Sequence, residues 1–295
     1  MMLDAQVLSA PLIDHRGLDL DAAARVTYIL EQGFRYEYET PVASLRQRLV
    51  VVPKPRHGSQ YRRAHMLAVT GARASRRLRR DSRGNVVAWL HAEHVAHSVE
   101  FRIAAVLERV GDNGPALLPA QALRSPGLLW PTRLTAADDR LRALASDLTG
   151  NAGTPIEYAE RICDLVHSAI TYECGVTSVR TTAAQALAGG RGVCQDFAHV
   201  MLALCHIVGL PARYVSGHLL GQGGTHAWVE VLVPSGHEAV ACAFDPCNGR
   251  RAGSGYVTIA TGRDYRDVAP TSGSYIGTAR GSLTTDRRVG VLAAA

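Results

Sequence analysis

The stretch GGRGVCQDFAHVMLALCHIVGLP, residues Gly189–Pro211, decides the fold of the C-terminal half of the chain. Its glycines lead to Cys194, and an apolar pattern of helical period follows until Gly209 and Pro211 stop it. The pattern predicts a helix that begins at Cys194. The unpaired N–H groups and the positive dipole end at a helix start stabilise a thiolate, the reactive form of cysteine. Cys194 is therefore the candidate nucleophile, and a buried cysteine without chemistry is the structural alternative.

Two segments downstream, THAWVEVLV (225–233) and VACAFDPC (240–247), are predicted to form a β-hairpin. A hairpin centred on Ser235–Gly236 would place His226 directly opposite Asp245, on one face of the sheet. Their Cβ atoms would then be about 4.5–5.5 Å apart. Because a slip of one residue would move Asp245 to the other face, the register is a sharp expectation.

This arrangement supplies what nucleophilic acyl transfer requires. His226 can accept the proton of Cys194 and later protonate the leaving group, while Asp245 orients the imidazole and stabilises its charged form. Each residue alone is weaker evidence, since a histidine near Trp228 is commonly a packed residue and an aspartate before Pro246 commonly forms a turn. The three together favour a catalytic triad.

At these residues the chain resembles the transglutaminase-like superfamily. The matching blocks are GVCQDFAHVMLALCHIVGLPARYVSG, THAWVEV, FDPCNG and the GRDYRDVAP stretch, all within about Asn151 to Gly281. The resemblance implies a papain-like core with the chain order Cys, His, Asp. It assigns Cys194 as nucleophile, His226 as base and Asp245 as the orienting acid.

The FDPCNG block departs from this family, because Cys247 stands where relatives usually have threonine. A small residue there is expected to leave the triad intact. It would add a second thiol near the site, and we hypothesise that this thiol is redox-sensitive.

The remaining site residues are predicted from their positions along the chain. The backbone N–H of Cys194 is the first candidate for an oxyanion-hole donor. Tyr172 is the candidate side-chain donor, and a half-buried structural tyrosine is its alternative. Gln195 and Trp228 are expected to line or wall the site. No metal ligand and no cofactor are expected.

The first half of the chain shows short apolar runs separated by turn residues, which are typical of an antiparallel sheet or sandwich. The predicted strands are Val26–Thr40, Leu45–Val52, His65–Thr70, Val86–Leu90 and Val99–Leu107. This half resembles the β-rich N-terminal region that accompanies the transglutaminase-like domain in bacterial members. The predicted fold class is α+β: an N-terminal antiparallel β domain followed by a papain-like transglutaminase core, with helices packed on an antiparallel sheet.

The domain boundaries follow from changes in pattern. Residues 22–110 are predicted to form the β-rich domain, and the Gly- and Pro-rich residues 111–134 a linker. Residues 135–281 are predicted to form the catalytic domain, with helices from Ala136 to about Leu148 and from Pro155 to about Ile170. Residues 282–295 are left as a C-terminal tail.

Composition bounds the class of protein. The chain has 295 residues, 47% of them hydrophobic and 20% charged, which argues against wholesale disorder. No apolar run reaches the roughly 18–20 residues of a membrane span, and the N-terminus has no signal-peptide pattern. A cytoplasmic protein without membrane partners is therefore expected. The six cysteines form no CxxC pair, so a disulfide framework is not expected.

Two features of the first half suggest other functions. Twelve basic residues lie between Arg46 and Arg83, opposed only by Asp81. Without interleaved aromatics or a recognised motif, they favour a solvated face over nucleic-acid binding. The segment HAEHVAH, which contains His91, His94 and His97, is reminiscent of a zinc site. On a strand the first and third histidines would share one face and the second the other, so an exposed edge strand is favoured.

Three functions of the catalytic half stay open from the sequence. Hydrolysis of a thioester on Cys194 is favoured, with a peptide or protein as the substrate. Transamidation would use an amine to resolve the same thioester, and a non-catalytic interaction module would carry a vestigial site. No loop with EF-hand spacing is present, so calcium activation is not predicted.

Overall fold

A computed structural model describes residue 3 and residues 5–111, 114–149 and 153–295. The α-helices are α1 Ala5–Ser9, α2 Pro126–Leu129, α3 Asp139–Thr149, α4 Pro155–Ala169, α5 Ala183–Gly189, α6 Cys194–Ile207 and α7 Tyr265–Val268. The strands are β1 Arg25–Tyr38, β2 Val42–Val52, β3 Arg56–His57, β4 Gln60–Thr70, β5 Ser75–Arg80, β6 Val86–Val95, β7 Ser98–Val110, β8 Ala116–Pro119, β9 Thr171–Tyr172, β10 Arg191–Gly192, β11 Ala212–Leu219, β12 His226–Ser235, β13 Glu238–Asp245, β14 Arg250–Arg251, β15 Tyr256–Gly262, β16 Thr271–Ile276 and β17 Gly281–Ala294. Within the described ranges, no helix has the length and apolar character needed to cross a membrane.

The N-terminal half is a sandwich of two antiparallel sheets, with strand orders β17-β1-β7-β4-β3 and β16-β2-β6-β5. Apolar side chains from both sheets form a common core, which includes Phe34, Leu49, Phe101 and Ile103. Alternation along the strands puts these residues inside while their neighbours face solvent or the second half. The expected α+β fold with an N-terminal β region is confirmed.

The end of the chain differs from the expectation of a tail at residues 282–295. These residues form most of β17, which pairs with the whole of β1, from Val26 opposite Ala294 to Tyr38 opposite Gly281. Only the last part of β17 is apolar and buried, so its sequence carries a weak strand signal. The pairing satisfies the backbone groups of β1, which would otherwise be a long exposed edge.

The segment at residues 111–134, expected to be a linker, also carries structure. Its β8 pairs with β13 of the catalytic half, with Leu118 opposite Ala239. The short helix α2 follows, and Leu128 packs beside β8 in the same apolar cluster. The segment therefore adds a strand to the sheet of the catalytic half and does not only connect two domains.

The catalytic half is built around α6. This helix is mostly apolar, and all its residues from 195 to 205 are buried, including the polar Gln195, Asp196 and His199. It lies against an antiparallel sheet of order β14-β13-β12-β11-β15, while α3, α4 and α5 cover its other sides. The predicted helices correspond to α3, α4 and α6. The short α5, which begins at the capping box of Thr182 and Gln185, was missed by the sequence pattern.

The two halves are joined along β15, the edge strand of the catalytic sheet. The Gln60 side chain donates to the carbonyl of Thr258 and accepts from its N–H at 2.8 and 2.9 Å. The Asn85 side chain makes the same pair of bonds with Thr261, at 2.8 and 2.9 Å. Two amide side chains thus replace the missing neighbour strand, and the sandwich closes the sheet edge.

The pairing of β17 predicts that the last residues of the chain stabilise the whole fold. Val291 is fully buried in an apolar cluster with Tyr28 and Val257, whereas Leu283 on the same strand is 45% exposed. We expect Val291→Ala to lower the free energy of unfolding by about 2 kcal/mol. Leu283→Ala should lower it by less than about 0.5 kcal/mol. Chemical denaturation followed by circular dichroism measures both; equal effects would contradict a structural β17.

Candidate active site

Cys194 is the first residue of α6, as the glycine-rich sequence before it predicts. Val193 precedes the helix in an extended conformation, and its N–H donates to Asp196 Oδ2 at 2.8 Å. Gly192 is required here, because a Cβ at this position would lie 2.6 Å from that carboxylate oxygen. The N–H of Cys194 belongs to the first helical turn, where N–H groups have no acceptor within the helix, and the positive end of the helix dipole lies at this residue.

Asp196 also fixes the loop beside the nucleophile. Its Oδ2 accepts a hydrogen bond from Thr177 Oγ1 at 2.6 Å, and the neighbouring Gln195 side chain donates to Ser178 O at 3.5 Å. Burial raises the pKa of the Asp196 carboxyl, while the bonds from Thr177 and Val193 oppose this. The carboxylate therefore acts as a buried anchor between the helix start and the loop.

His226 and Asp245 meet at the open end of the β12–β13 hairpin. The distance from His226 Nε2 to Asp245 Oδ2 is 2.7 Å, and both side chains are buried. The predicted register was wrong: the turn is at Gly236–His237, with Gly236 at a positive φ of 57°, and Val229 lies opposite Phe244.

In this register His226 and Asp245 are diagonal neighbours on the two strands and do not lie directly opposite each other. Asp245 lies two residues along the hairpin from the position opposite His226. Because side chains alternate with a period of two, this displacement keeps both residues on one face, and long side chains reach across a diagonal. The contact between His226 and Asp245 therefore forms as predicted, although the register differs from the predicted one.

Asp245 is the most heavily hydrogen-bonded residue of the site. Besides His226, its Oδ2 accepts from Tyr256 Oη at 2.7 Å and from Asn248 Nδ2 at 2.6 Å. Its Oδ1 accepts from the backbone N–H groups of Cys247 and Asn248 at 3.0 and 3.3 Å. Burial tends to raise the pKa of this carboxyl, but the bonds from His226, Asn248 and Tyr256 outweigh it and leave the pKa lowered.

The ionised Asp245 determines the state of His226. Burial would lower the pKa of the imidazole, but hydrogen bonds with Asp245 and Cys194 outweigh it and raise this pKa to about 9. Since Nε2 is held by Asp245, Nδ1 is the ring nitrogen available to Cys194. At neutral pH the imidazole is thus protonated, and it lies between the ionised Asp245 carboxylate and the sulfur of Cys194.

Aromatic rings hold the imidazole from behind. The ring centroids of His226 and Trp228 are 6.2 Å apart with planes inclined by 26°, and Tyr256 lies 5.4 Å from Trp228 in an edge-on contact. Gly217 lies opposite His226, and a Cβ there would come within 2.6 Å of the Trp228 ring. Trp228 therefore packs beside His226, where it is fully buried.

Tyr172 lies at the exposed rim of the site. It is 56% exposed, and its hydroxyl is 3.7 Å from the thiol of Cys174. The hydrogen bond with Cys174, burial and the charge of Cys194 raise the pKa of Tyr172 to about 12, so it is a neutral donor near the nucleophile. Gln195 is buried and contacts the Ser178 carbonyl, so it lies beneath the loop.

Cys247 lies next to Asp245 in the turn after β13. Burial and the charge of Cys194 raise the pKa of Cys247 to about 12, so its sulfur remains a neutral thiol at neutral pH. Because the thiolate is the reactive form, this environment favours an unreactive side chain over the redox-sensitive one that we hypothesised.

The histidines of HAEHVAH do not converge. His91 and His94 lie on β6, which is paired on both sides and is therefore not the edge strand that we expected, while His97 lies in the turn that follows. Across the described part of the chain, no group of three His, Cys, Asp or Glu side chains is arranged to hold a metal ion.

The sequence did not indicate Tyr256 or Asn248, which both bind Asp245. Asn248 follows the aspartate in the FDPCNG turn, where a short polar side chain can fold back on its neighbour, so its role carried a weak local signal. Tyr256 comes from β15, and only the assembled sheet brings it to the site.

Comparison with known proteins agrees with the resemblance seen in the sequence. Residues 142–244 match the transglutaminase-like superfamily, and residues 28–108 match the bacterial transglutaminase-like N-terminal region. The first range contains Cys194, His226 and Phe244, and it ends one residue before Asp245. The resemblance is thereby confirmed for both halves of the chain.

Similar proteins include bacterial relatives without an assigned activity. An uncharacterized protein of Mycobacterium bovis is 28% identical over 278 residues, covering 84% of this chain and 83% of the relative. An uncharacterized protein of Mycobacterium leprae is 33% identical over 169 residues, covering 54% and 58%. The crystal structure of a "Putative Cysteine Protease" from Cytophaga hutchinsonii has a TM-score of 0.74 at 22% identity and covers 91% of both chains. It shares the fold.

Together the family match and the geometry support cysteine-dependent acyl transfer or protease chemistry in general. The particular reaction depends on what resolves an acyl group on Cys194.

The raised pKa of His226 predicts a pH dependence of its charge. We expect the imidazolium to persist until the pH rises through about 9. Because the folded pKa lies above the unfolded one, its contribution to stability is complete below the unfolded pKa of about 6.5 and is lost through pH 9. Asp245→Asn should shift this titration to lower pH. NMR of ring-labelled histidines, assigned with His226→Gln, measures it; a midpoint near 6.5 in the native chain would contradict this electrostatic account.

The hydrogen bond from Tyr256 predicts a supporting role for this residue. Tyr256→Phe removes one donor to Asp245 while leaving the ring in contact with Trp228. A hydrogen bond to a charged group is worth about 1.5–3 kcal/mol, so the alkylation rate of Cys194 should fall by about tenfold or more. Tyr275→Phe, remote from the site, is the control. Equal rates in Tyr256→Phe and the native chain would show that the bond does not support the triad.

Proposed function

We propose that this chain, which joins a transglutaminase-like core to a bacterial transglutaminase-like N-terminal region, cleaves peptide or amide bonds through a thioester at Cys194. One observation carries the proposal: the imidazole that the buried Asp245 carboxylate holds at 2.7 Å also has a hydrogen bond with the thiol of Cys194, the first residue of α6. These three groups supply a nucleophile, a proton carrier and an orienting charge.

The proposed reaction has two halves. The Cys194 thiolate attacks the substrate carbonyl, and the His226 imidazolium protonates the leaving amine, which leaves a thioester and a neutral imidazole. His226 then takes a proton from water as the water oxygen attacks the thioester, and the acid and the thiolate are released. Asp245 stabilises the imidazolium in both halves. The N–H of Cys194 is the proposed donor to the oxyanion, with Tyr172 as a second candidate at the rim.

The openness of the rim favours water as the acyl acceptor. Cys194 is partly exposed, and both Tyr172 and Cys174 beside it are exposed. An acyl group that must wait for an amine needs a site from which water is excluded. Hydrolysis is therefore the proposed outcome, and transamidation is the second candidate because it shares the first half of the reaction.

A vestigial interaction module is the weaker alternative. The carboxylate of Asp245 is buried with five hydrogen bonds from four residues, an arrangement that a non-catalytic surface does not require. A site without chemistry would be free to lose the charged residues at low cost, since apolar replacements of buried charges are often neutral or stabilising.

A library of peptides, with and without an added primary amine, tests the reaction directly. We expect native protein to give hydrolysed products, read by mass spectrometry, and Cys194→Ala to give none because no thioester can form. Circular dichroism confirms that the variant is folded. Amine-coupled products in place of hydrolysed ones would favour transamidation, and turnover by Cys194→Ala would refute the mechanism.

Alkylation by iodoacetamide at neutral pH tests the nucleophile without a substrate. Cys194 should react faster than the five other cysteines, because His226 stabilises its thiolate. Cys174 is the matched control, since it is more exposed than Cys194 but has no imidazole partner in the described structure. If Cys174 reacts as fast as Cys194, the thiolate–imidazolium pair is absent.

A further inference from the structure

A cavity of about 740 Å³ lies between the N-terminal sandwich and the catalytic sheet, lined by residues of both halves. This volume is within the usual range for a small-molecule site. Its charged lining residues are Lys54, Arg56, Arg80, Arg83, Arg213 and Glu238. Among the lining residues that the structure describes, cations therefore outnumber carboxylates by five to one.

Lys54 is unusual among the residues that line this cavity because its side chain is a buried cation. It is only 6% exposed, and its ammonium group donates to Arg83 O at 2.9 Å and to Thr261 Oγ1 at 2.6 Å. Both acceptors are uncharged. Burial, with the charge of Arg213 next, lowers the pKa of Lys54 to about 8, so the group is still mostly protonated at neutral pH. A buried cation without a carboxylate in contact is costly unless another anion approaches it.

The buried carboxylate of Glu230, whose charge acts on Lys54, is already occupied. Arg213 Nε donates to its Oε2 at 2.6 Å, and His57 Nε2 lies 2.6 Å from its Oε1. Burial lowers the pKa of His57, although its contact with Glu230 opposes this shift. Lys54 and Arg213 thus share the single charge of Glu230, which leaves the buried wall of the cavity with an excess positive charge.

The other groups around Lys54 do not remove this excess. Asp81 acts on Lys54 from a distance, but its oxygens accept hydrogen bonds from Arg83 N and from Asn85. The Arg83 guanidinium is 3.3 Å from Asp267, while Arg56 lies 5.1 Å over the ring of Tyr61. Arg80 is exposed at the rim, as is the carboxylate of Glu238.

We infer that this cavity binds a small, multiply charged oxyanion, held by the Lys54 ammonium and by the guanidinium groups of Arg56 and Arg80. Guanidinium and ammonium groups are the side chains that recognise phosphate and carboxylate oxygens. The shared chemistry is that of a phosphate-bearing or polycarboxylate metabolite. No catalytic residue lines the cavity, so the site is separate from the proposed thioester chemistry.

The site nevertheless adjoins the back of the triad. A second cavity of about 240 Å³ shares residues 57–59 and 114–116 with the first, and Trp228, Glu230 and Tyr256 line it. Trp228 packs on His226, and Tyr256 donates to Asp245. Only the shared residues 57–59 and 114–116 would therefore separate an anion in the larger cavity from the smaller cavity that Trp228 and Tyr256 line.

Calorimetric titration of the full chain with pyrophosphate and with citrate, at constant ionic strength, tests the inference. We expect at least one of them to bind, and the stronger of the two identifies phosphate or carboxylate as the preferred group. Lys54→Met and the double variant Arg56→Gln/Arg80→Gln should each weaken binding by about tenfold or more. The double variant changes only exposed side chains, so it tests the site even where Lys54→Met fails to fold.

Two controls make the result specific. Arg77→Gln removes a cation from β5, the strand that carries Arg80, but at a residue that does not line the cavity, and it should leave binding unchanged. Cys194→Ala should also bind normally, which separates this inference from the proposed function. The inference is overturned if neither anion binds up to about 10 mM, or if Arg77→Gln weakens binding as much as the double variant.

Discussion

The buried hydrogen bond between His226 and Asp245 is the constraint on which the rest of the site depends. A carboxylate with no exposed surface is stable only when its oxygens are occupied, and here the turn after β13, the side chain of Asn248 and the hydroxyl of Tyr256 occupy them. This requirement fixes the end of the hairpin and the position of β15. It also keeps the imidazole charged, which places a proton donor beside the sulfur at the start of α6.

The N-terminal sandwich supports the same hydrogen bond through its contacts with the edge strand of the catalytic sheet. Tyr256 and Thr258 belong to β15, whose free edge is closed by the amides of Gln60 and Asn85. The sandwich therefore positions the strand that supplies one donor to Asp245. The last strand of the chain, β17, completes the sandwich, so residues from both ends of the sequence support a site formed in the middle.

Local patterns predicted the parts of this site that depend on local physics. A glycine-rich turn before an apolar helix is sufficient to place Cys194 at a helix start, and alternation along two strands is sufficient to place His226 and Asp245 on one face. The turn residues of the hairpin were assigned one position too early, because Gly236 can occupy either of two central turn positions. Tyr256, β17 and the charged cavity depend on contacts between distant segments, for which the sequence contains no periodic signal. The positive charge of the first half was visible in the sequence, but only the fold shows that part of it lines a cavity.

Cys194 is the residue that we propose to carry the acyl group, and a simple activated ester tests this most directly. Rapid mixing with p-nitrophenyl acetate, followed by acid quenching and peptide mass spectrometry, should show one acetyl group on the peptide that contains Cys194. The acetyl group should appear in a burst and then decay, and His226→Ala should lose the burst. Acetylation that is spread over several cysteines, or that proceeds equally well without the imidazole, would contradict the account.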